Sequence, residues 1–139
     1  MNSIHFFTEG IKFRVHDRSR LKAWFVSTIK QYGKINGEIN VVFTSDKKLR
    51  DINLKYLNTD TYTDIITFDL SDEDLVISGD IYISIERVKE NAEIFKVTIN
   101  DELNRVLIHG ILHLLGFDDR TIKEKEKMKQ LEDLFLANF

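Results

Sequence analysis

The clearest sign of a reactive site in this sequence is a pair of histidines four residues apart, His109 and His113. In an α-helix, residues four apart lie on the same face, so both imidazole groups can reach one ion. Gly116 suits the left-handed conformation that ends a helix, which allows Asp118 or Asp119 to turn back as a third ligand. Three protein ligands and an open fourth position are typical of a catalytic zinc centre, whereas structural zinc sites close all four positions.

The surroundings of the two histidines favour a metal site over a chance pair on a solvated face. Residues 106–115 are otherwise almost entirely apolar, and an unpaired imidazole is costly to bury among such residues. A ligand ten residues after His109 matches the metzincin form of the histidine motif, which favours Asp119 over Asp118. Asp118 is then a candidate general base or, as the simpler interpretation, a hydrogen-bond partner that orients a metal-bound histidine.

The residue that follows the first histidine argues against a peptidase. In the zincin peptidase motif this residue is a glutamate that activates the metal-bound water, and here it is Gly110. The sequence therefore keeps the metal geometry of that motif and lacks its usual proton-transfer group.

The composition predicts a single domain that spans residues 1–139. Hydrophobic residues make up 42% of the chain and charged residues 31%, and there is no cysteine, which excludes disulfides and thiolate-ligated zinc. Neither a signal peptide nor a membrane-spanning segment is recognisable. We therefore expect a cytoplasmic protein without membrane contact.

The net charge of −3 argues against a protein that coats nucleic acid without selectivity. A locally basic groove can still attract RNA, although clusters of basic residues are more simply read as solvated helix faces. Two such clusters are Arg14, Arg18, Arg20 and Lys22, and Lys47, Lys48, Arg50 and Lys55.

Hydrophobic periodicity predicts the order strand, helix, strand, helix, two strands and three helices, hence a mixed β-sheet with helices packed on it. We expect residues 11–15 to form a strand that pairs with 4–7 across Glu9-Gly10. Strands at 64–68 and 75–85 are expected to pair antiparallel. The other expected elements are a helix capped by Asp17 or Ser19 and ending near Gly33, a strand at 38–44, a helix capped by Ser45 or Asp46, a polar turn at 58–63, a helix at 86–95 and a histidine helix capped by Thr98 or Asn100.

Two helices are expected to turn specific leucines inward. The helix after Ser45 should bury Leu49, Ile52, Leu54 and Leu57. The last helix should begin with a capping box formed by Thr121 and Glu124, and it should bury Met128, Leu131, Leu134 and Phe135.

The histidine motif resembles the signature of the YbeY family of bacterial rRNA maturation factors. The motif reads His109-Gly110-x-Leu112-His113-Leu114-x-Gly116-Phe117-Asp118. Outside it, Asp60 with the segment 63–68, Gly79-Asp80-Ile81 with Ile83-Ser84, and Glu102-Leu103 with Arg105 also fit. The resemblance covers roughly residues 40–135.

The resemblance implies a zincin-like α+β fold, with the metal site on a late helix and its following turn. It also implies a single-strand-specific endoribonuclease that acts in rRNA maturation and ribosome biogenesis. The implied partners are single-stranded RNA, rRNA and ribosomal components, and no DNA is expected. The implied metal ligands are His109, His113 and Asp119, with one zinc ion between them.

Two positions depart from the family pattern. Most members have histidine where this chain has Asp119, and a carboxylate makes the site harder, so another divalent metal is possible. Members also carry an arginine where this chain has Leu57, so either Lys55 or Arg50 holds the RNA backbone instead or the role is absent. By the resemblance, Lys55, Thr63, Asp64 and Asp80 are candidates for substrate binding, with the metal facing a cleft bounded by Thr63-Asp64 and Gly79-Asp80.

Three other functions remain open at the level of sequence. One is a metal-dependent peptidase, which the spacing suggests and Gly110 opposes. Another is a largely non-catalytic ribosome-assembly factor with a structural metal. The last is a non-haem iron oxygenase, which also uses two histidines and a carboxylate, although those ligands do not usually come from one helix and its following turn.

Overall fold

The computed structural model describes residues 3–57 and 63–139. The described elements are β1 (Ser3–Thr8), α1 (Arg18–Gln31), β2 (Ile35–Thr44), α2 (Asp46–Leu57), β3 (Ile65–Asp69), β4 (Val76–Ser84), α3 (Ile85–Phe95), α4 (Ile99–Leu114) and α5 (Ile122–Ala137). This is the predicted element order. The predicted turn at 58–63, and Asp60 within it, lie outside the described residues except for Thr63.

The four strands form one mixed sheet in the order β1-β2-β4-β3. Strands β1, β2 and β4 run parallel, and β3 joins the edge antiparallel to β4, as predicted for the last pair. Parallel neighbours require crossover connections, which α1 supplies between β1 and β2. The inner strand β2 buries Ile39, Val41 and Phe43 completely on its core face, whereas Glu38 on its other face is exposed.

Helix α4 packs closely on the sheet because Gly110 carries no side chain. A β-carbon at this position would lie 2.9 Å from Ile65 Cδ1 and 3.1 Å from Ile81 Cγ2. Leu107, Ile108 and Ile111 of the same helix are fully buried. Gly110 therefore faces strands β3 and β4, and its lack of a side chain lets α4 pack closely on them.

Local sequence signals set the starts of the later helices. Thr98 caps α4 by accepting a hydrogen bond from the Asp101 amide at 3.0 Å. Thr121 and Glu124 form the expected capping box at the start of α5. The described helices include none that is long and apolar enough to cross a bilayer.

The expected hairpin between 4–7 and 11–15 is wrong. Strand β1 instead pairs in parallel with β2, from Ser3 opposite Glu38 to Thr8 opposite Phe43, and residues 11–15 form no strand. Their alternating pattern has another cause, since Val15 is buried in the core and Ile11 and Phe13 pack partly against it. An alternation of apolar and polar residues indicates that a segment is half-buried, but it does not identify the segment that it packs against.

Smaller expectations also fail. Helix α1 begins at Arg18 and has Asp17 at its N-cap position as predicted, but Asp17 is in a left-handed conformation and its side chain makes no capping hydrogen bond. Leu54, Leu57 and Leu134 are each about half exposed. These leucines lie at the margin of the apolar stripe of their helices, so burial of the stripe encloses only about half of each side chain.

Candidate metal centre

The last two turns of α4 and the turn after it bring three ligand atoms together. Nε2 of His109 lies 2.9 Å from Nε2 of His113. Asp119 Oδ2 lies 3.3 Å from the first of these nitrogens and 3.5 Å from the second. Zinc bonds of about 2.0–2.1 Å in a tetrahedral site place neighbouring ligand atoms roughly 3.3 Å apart. The triangle therefore has the size that a single ion requires, and these three side chains can hold a metal.

The turn that delivers Asp119 is a Schellman motif centred on Gly116. The Gly116 amide donates to the His113 carbonyl at 2.9 Å, and the Phe117 amide donates to the Leu112 carbonyl at 3.1 Å. Gly116 has a φ of +102°, which residues with a β-carbon rarely adopt. Helix α4 ends here, and the reversed chain returns the Asp119 carboxylate to the histidines.

Glu132 of α5 orients the first histidine. Its Oε2 accepts a hydrogen bond from Nδ1 of His109 at 2.5 Å, and its Oε1 accepts one from Arg105 at 2.9 Å. Because Nδ1 carries the proton in this arrangement, the lone pair of Nε2 is directed towards His113 and Asp119. A carboxylate behind a metal-binding histidine commonly fixes the tautomer in this way and strengthens the ligand.

Sequence reasoning missed Glu132 and assigned this orienting role to Asp118. The structure leaves Asp118 exposed, in a shallow depression beside Gly116 and Lys123. A sequence signal for Glu132 did exist, because it shares the buried stripe of α5 with Met128, Leu131 and Phe135. A glutamate in an apolar stripe needs a partner.

The pKa values of the two histidines shift in opposite directions. Burial lowers the pKa of His109, but the hydrogen bond and charge of Glu132 outweigh burial and leave the pKa raised. Burial and the neighbouring His109 lower the pKa of His113. His113 is therefore neutral at pH 7, which is the form that binds a metal.

Two further carboxyl groups near the site are affected by burial. Asp64, just before β3, has a raised pKa because it is desolvated, while the charge of His109 opposes the shift. Burial raises the pKa of Glu102 to about 7, and the charge of Asp64 adds to this effect. Asp64 thus lies within electrostatic reach of His109, and Glu102 lies within reach of Asp64 and Glu132.

The other candidate residues are not all brought to this site. Thr63 and Asp64 lie at the start of β3, where the Thr63 hydroxyl donates to the Ile65 carbonyl at 3.3 Å. Asp80 is on the opposite face of the sheet from α4, because its neighbour Ile81 faces Gly110 and side chains alternate along a strand. Its carboxylate accepts a hydrogen bond from Asn40 at 3.1 Å. The cleft at the metal is therefore not bounded by Asp80.

Lys55 lies on the exposed part of α2. Its ammonium nitrogen is 5.3 Å from the centre of the Tyr56 ring. In the part of the chain that the structure describes, Lys55 does not line the cleft that contains the metal ligands.

Two of the three metal ligands, His109 and Asp119, line a cleft of 690 Å³ that follows α4 and α5, which we call the α4–α5 cleft. His109 and Asp119 lie in its wall, and the histidine side chains keep about a fifth of their surface exposed. The residues that line it include His109, Asp119, Arg105, Glu132, Lys125 and Lys129. An ion held by the three ligands would therefore be reachable from solvent, as a reactive centre requires.

The sheet is mixed and has an antiparallel edge strand. The helix that packs on it bears two metal-binding histidines, and the turn after this helix supplies the third ligand. This combination defines a zincin-like metal-dependent hydrolase. The chain belongs to the YbeY family, since the family model described as Endoribonuclease YbeY matches residues 6–139. This confirms the resemblance found in the histidine motif and the expected α+β, zincin-like fold.

Individual relatives support the same assignment. The chain is 44% identical over 135 residues to an endoribonuclease YbeY of Cytophaga hutchinsonii, which covers 97% of this chain and 94% of the relative. It is 46% identical over 135 residues to that of Flavobacterium psychrophilum, with 96% and 94% covered. A solution structure of a Thermotoga maritima protein, 30% identical, matches with a TM-score of 0.61 over 98% of this chain and 91% of its own.

Proposed function

We propose that this protein is a metal-dependent, single-strand-specific endoribonuclease that acts in rRNA maturation and ribosome biogenesis in the cytoplasm. The observation that carries the proposal is the triangle of His109, His113 and Asp119 at the wall of an open cleft, in a chain of the YbeY family. Its substrate is then single-stranded RNA, including rRNA, and ribosomal components are its partners.

We assign one zinc ion to this triangle. Two imidazole nitrogens and a carboxylate oxygen are a usual zinc donor set, and the carboxylate also suits harder divalent ions. A bound zinc ion supplies Lewis-acid polarisation of a phosphoryl oxygen or acidification of a water molecule.

The protein's own residues provide position and proton transfer. Glu132 fixes the His109 ring, and a hydrogen bond to the backbone of Phe117 fixes that of His113. Asp64 is the candidate that moves a proton, because it is partly buried within electrostatic reach of His109, whereas Asp118 is exposed away from the cleft. Thr63, next to Asp64, is retained as a substrate contact.

The alternatives gain no support from the geometry. A peptidase would require a base at position 110, where the chain needs glycine for the contact between α4 and the sheet. A structural metal would require a closed, four-ligand site, and only three ligand groups converge among the described residues. The ligand arrangement, one helix and its following turn, also argues against an iron oxygenase.

The test couples metal content to RNA cleavage. Untagged wild-type protein should contain about one equivalent of zinc and cleave single-stranded RNA but not a duplex of the same sequence. His113→Ala should lose both metal and cleavage. Asp118→Asn is the matched control, because it changes a neighbouring exposed carboxylate and should retain both. Metal-loaded wild type that cleaves no single-stranded RNA would refute the proposed activity.

A further inference from the structure

One wall of the α4–α5 cleft carries two lysines that the metal site does not use. Lys125 and Lys129 both line the cleft together with His109 and Asp119. They are four residues apart on α5, so their side chains lie on the same face about 6 Å apart along the helix axis. The cleft therefore has a short row of cations beside the metal ligands.

These two cations are available to a ligand, unlike the arginine next to them. Arg105 is held by Glu132 at 2.9 Å and by Asp133 at 2.6 Å. Across residues 3–57 and 63–139, no carboxylate lies within ion-pair distance of the ammonium group of Lys125 or Lys129. Both residues are exposed on α5.

The end of the cleft away from the metal ligands carries an exposed aromatic ring and carboxyl groups instead of lysines. Phe95, at the end of α3, lines the cleft with 60% of its surface exposed. Asp101 and Glu102, in the first turn of α4, line the same end. Carboxyl groups there disfavour a phosphate, whereas an exposed aromatic ring can stack on an uncharged base.

We propose that the α4–α5 cleft is the groove for single-stranded RNA, in which Lys125 and Lys129 bind backbone phosphates beside the metal centre and Phe95 stacks on a base. Cations along the backbone combined with an aromatic platform are the general means of holding a single strand without reading its sequence. The proposal rests on the endoribonuclease function. It also explains how the chain holds RNA with Leu57 where the family has arginine, without any role for Lys55.

The same helix offers a matched control. Lys123 and Lys127 are also four residues apart, but they line a separate depression beside Gly116 and Asp118. The double variants Lys125→Ala/Lys129→Ala and Lys123→Ala/Lys127→Ala therefore remove equal charge from the same helix. For the aromatic residue, Phe95→Ala is compared with Ile94→Ala, whose side chain is equally exposed and does not line the cleft.

The experiment is steady-state cleavage of a short single-stranded oligoribonucleotide by the zinc-loaded proteins across a range of salt concentrations. KM should rise about tenfold in Lys125→Ala/Lys129→Ala, with metal content and kcat unchanged. The slope of log KM against log salt should become shallower by about 1.4, because each phosphate contact on a single strand contributes about 0.7. Phe95→Ala should raise KM about fivefold or more. Both control variants should behave as wild type.

Each contrary result has a distinct meaning. If the cleft pair and the control pair have the same KM and salt slope while wild type cleaves RNA, the groove is elsewhere and the function stands. If the cleft pair loses metal or kcat while KM is unchanged, the lysines support the centre and bind no phosphate, which overturns the inference. If wild type neither cleaves nor binds single-stranded RNA, both proposals are refuted.

Discussion

The hydrogen bond between Glu132 and His109 leads to a quantitative prediction for Glu132→Gln. In the wild type, both carboxylate oxygens of Glu132 accept hydrogen bonds, one from His109 and one from Arg105. Glutamine keeps the shape of the side chain but has only one acceptor oxygen. One of the two donors must therefore face an amide NH₂ group in a side chain that is only 9% exposed.

The expected loss is 10- to 100-fold in zinc affinity, the usual effect of removing a group that orients a metal-binding histidine. This range corresponds to about 1.4–2.7 kcal/mol. Asp133→Asn is the matched control, because Asp133 accepts from the same Arg105 at 2.6 Å and is largely exposed. It should change zinc affinity by less than about threefold.

The assay is competition with a chromophoric chelator, and its pH dependence separates the orienting role from a general structural effect. Glu132 raises the pKa of His109, so protons compete with the metal more strongly in the wild type than in the variant. The difference between the two proteins should therefore be largest at pH 8 and should shrink as the pH falls through the pKa of His109. Equal zinc affinities for wild type, Glu132→Gln and Asp133→Asn at pH 8 would refute the reasoning.

Three other substitutions test separate parts of the structure. Gly110→Glu should destabilise the fold by about 3 kcal/mol, measured by denaturant unfolding, because α4 would be forced from the sheet. It should not create a peptidase; unchanged stability or a gain of casein cleavage would contradict this. Lys55→Ala should leave the KM for RNA unchanged, because Lys55 does not line the α4–α5 cleft; a higher KM in this variant, restored by Leu57→Arg, would place phosphate contacts on α2. Glu102→Gln should raise Tm more at pH 8 than at pH 5. Burial raises the pKa of Glu102 to about 7 in the folded state, so the wild type loses stability as the pH rises from about 4.5 to 7, by at most about 3 kcal/mol. Equal changes in Tm at both pH values would show that a charged Glu102 does not destabilise the fold at pH 8.

The parts of the site that the sequence predicted are those that depend on local backbone geometry. The helical repeat places His109 and His113 on one face, and Gly116 determines where the chain turns back. The choice of Asp119 over Asp118 came from a spacing rule, and the Schellman turn now gives its physical reason: the reversed chain carries Asp119 to the histidines and leaves Asp118 outside.

The parts that the sequence did not predict depend on the packing of distant segments. Glu132 reaches His109 only because α5 lies alongside α4, and periodicity within α5 cannot identify the partner of its buried face. The failed hairpin has the same origin, since β1 is compatible with a partner at 11–15 or with β2, and long-range burial decides between them. Asp80 was associated with the site through the resemblance of Gly79-Asp80-Ile81 to a family segment, but alternation along β4 directs its side chain to the other face of the sheet.

The glycine that replaces the peptidase glutamate also helps to explain where proton transfer can occur. Gly110 lets α4 approach Ile65, the first residue of β3, so closely that a β-carbon would be 2.9 Å from it. The residues that precede these two in sequence are His109 and Asp64, and their charges act on each other. The close contact that disfavours a glutamate at position 110 thus lies next to both His109 and the Asp64 carboxyl group, just before β3. A base just before the neighbouring strand can take the place of one on the helix, which supports the proposal that Asp64 moves a proton.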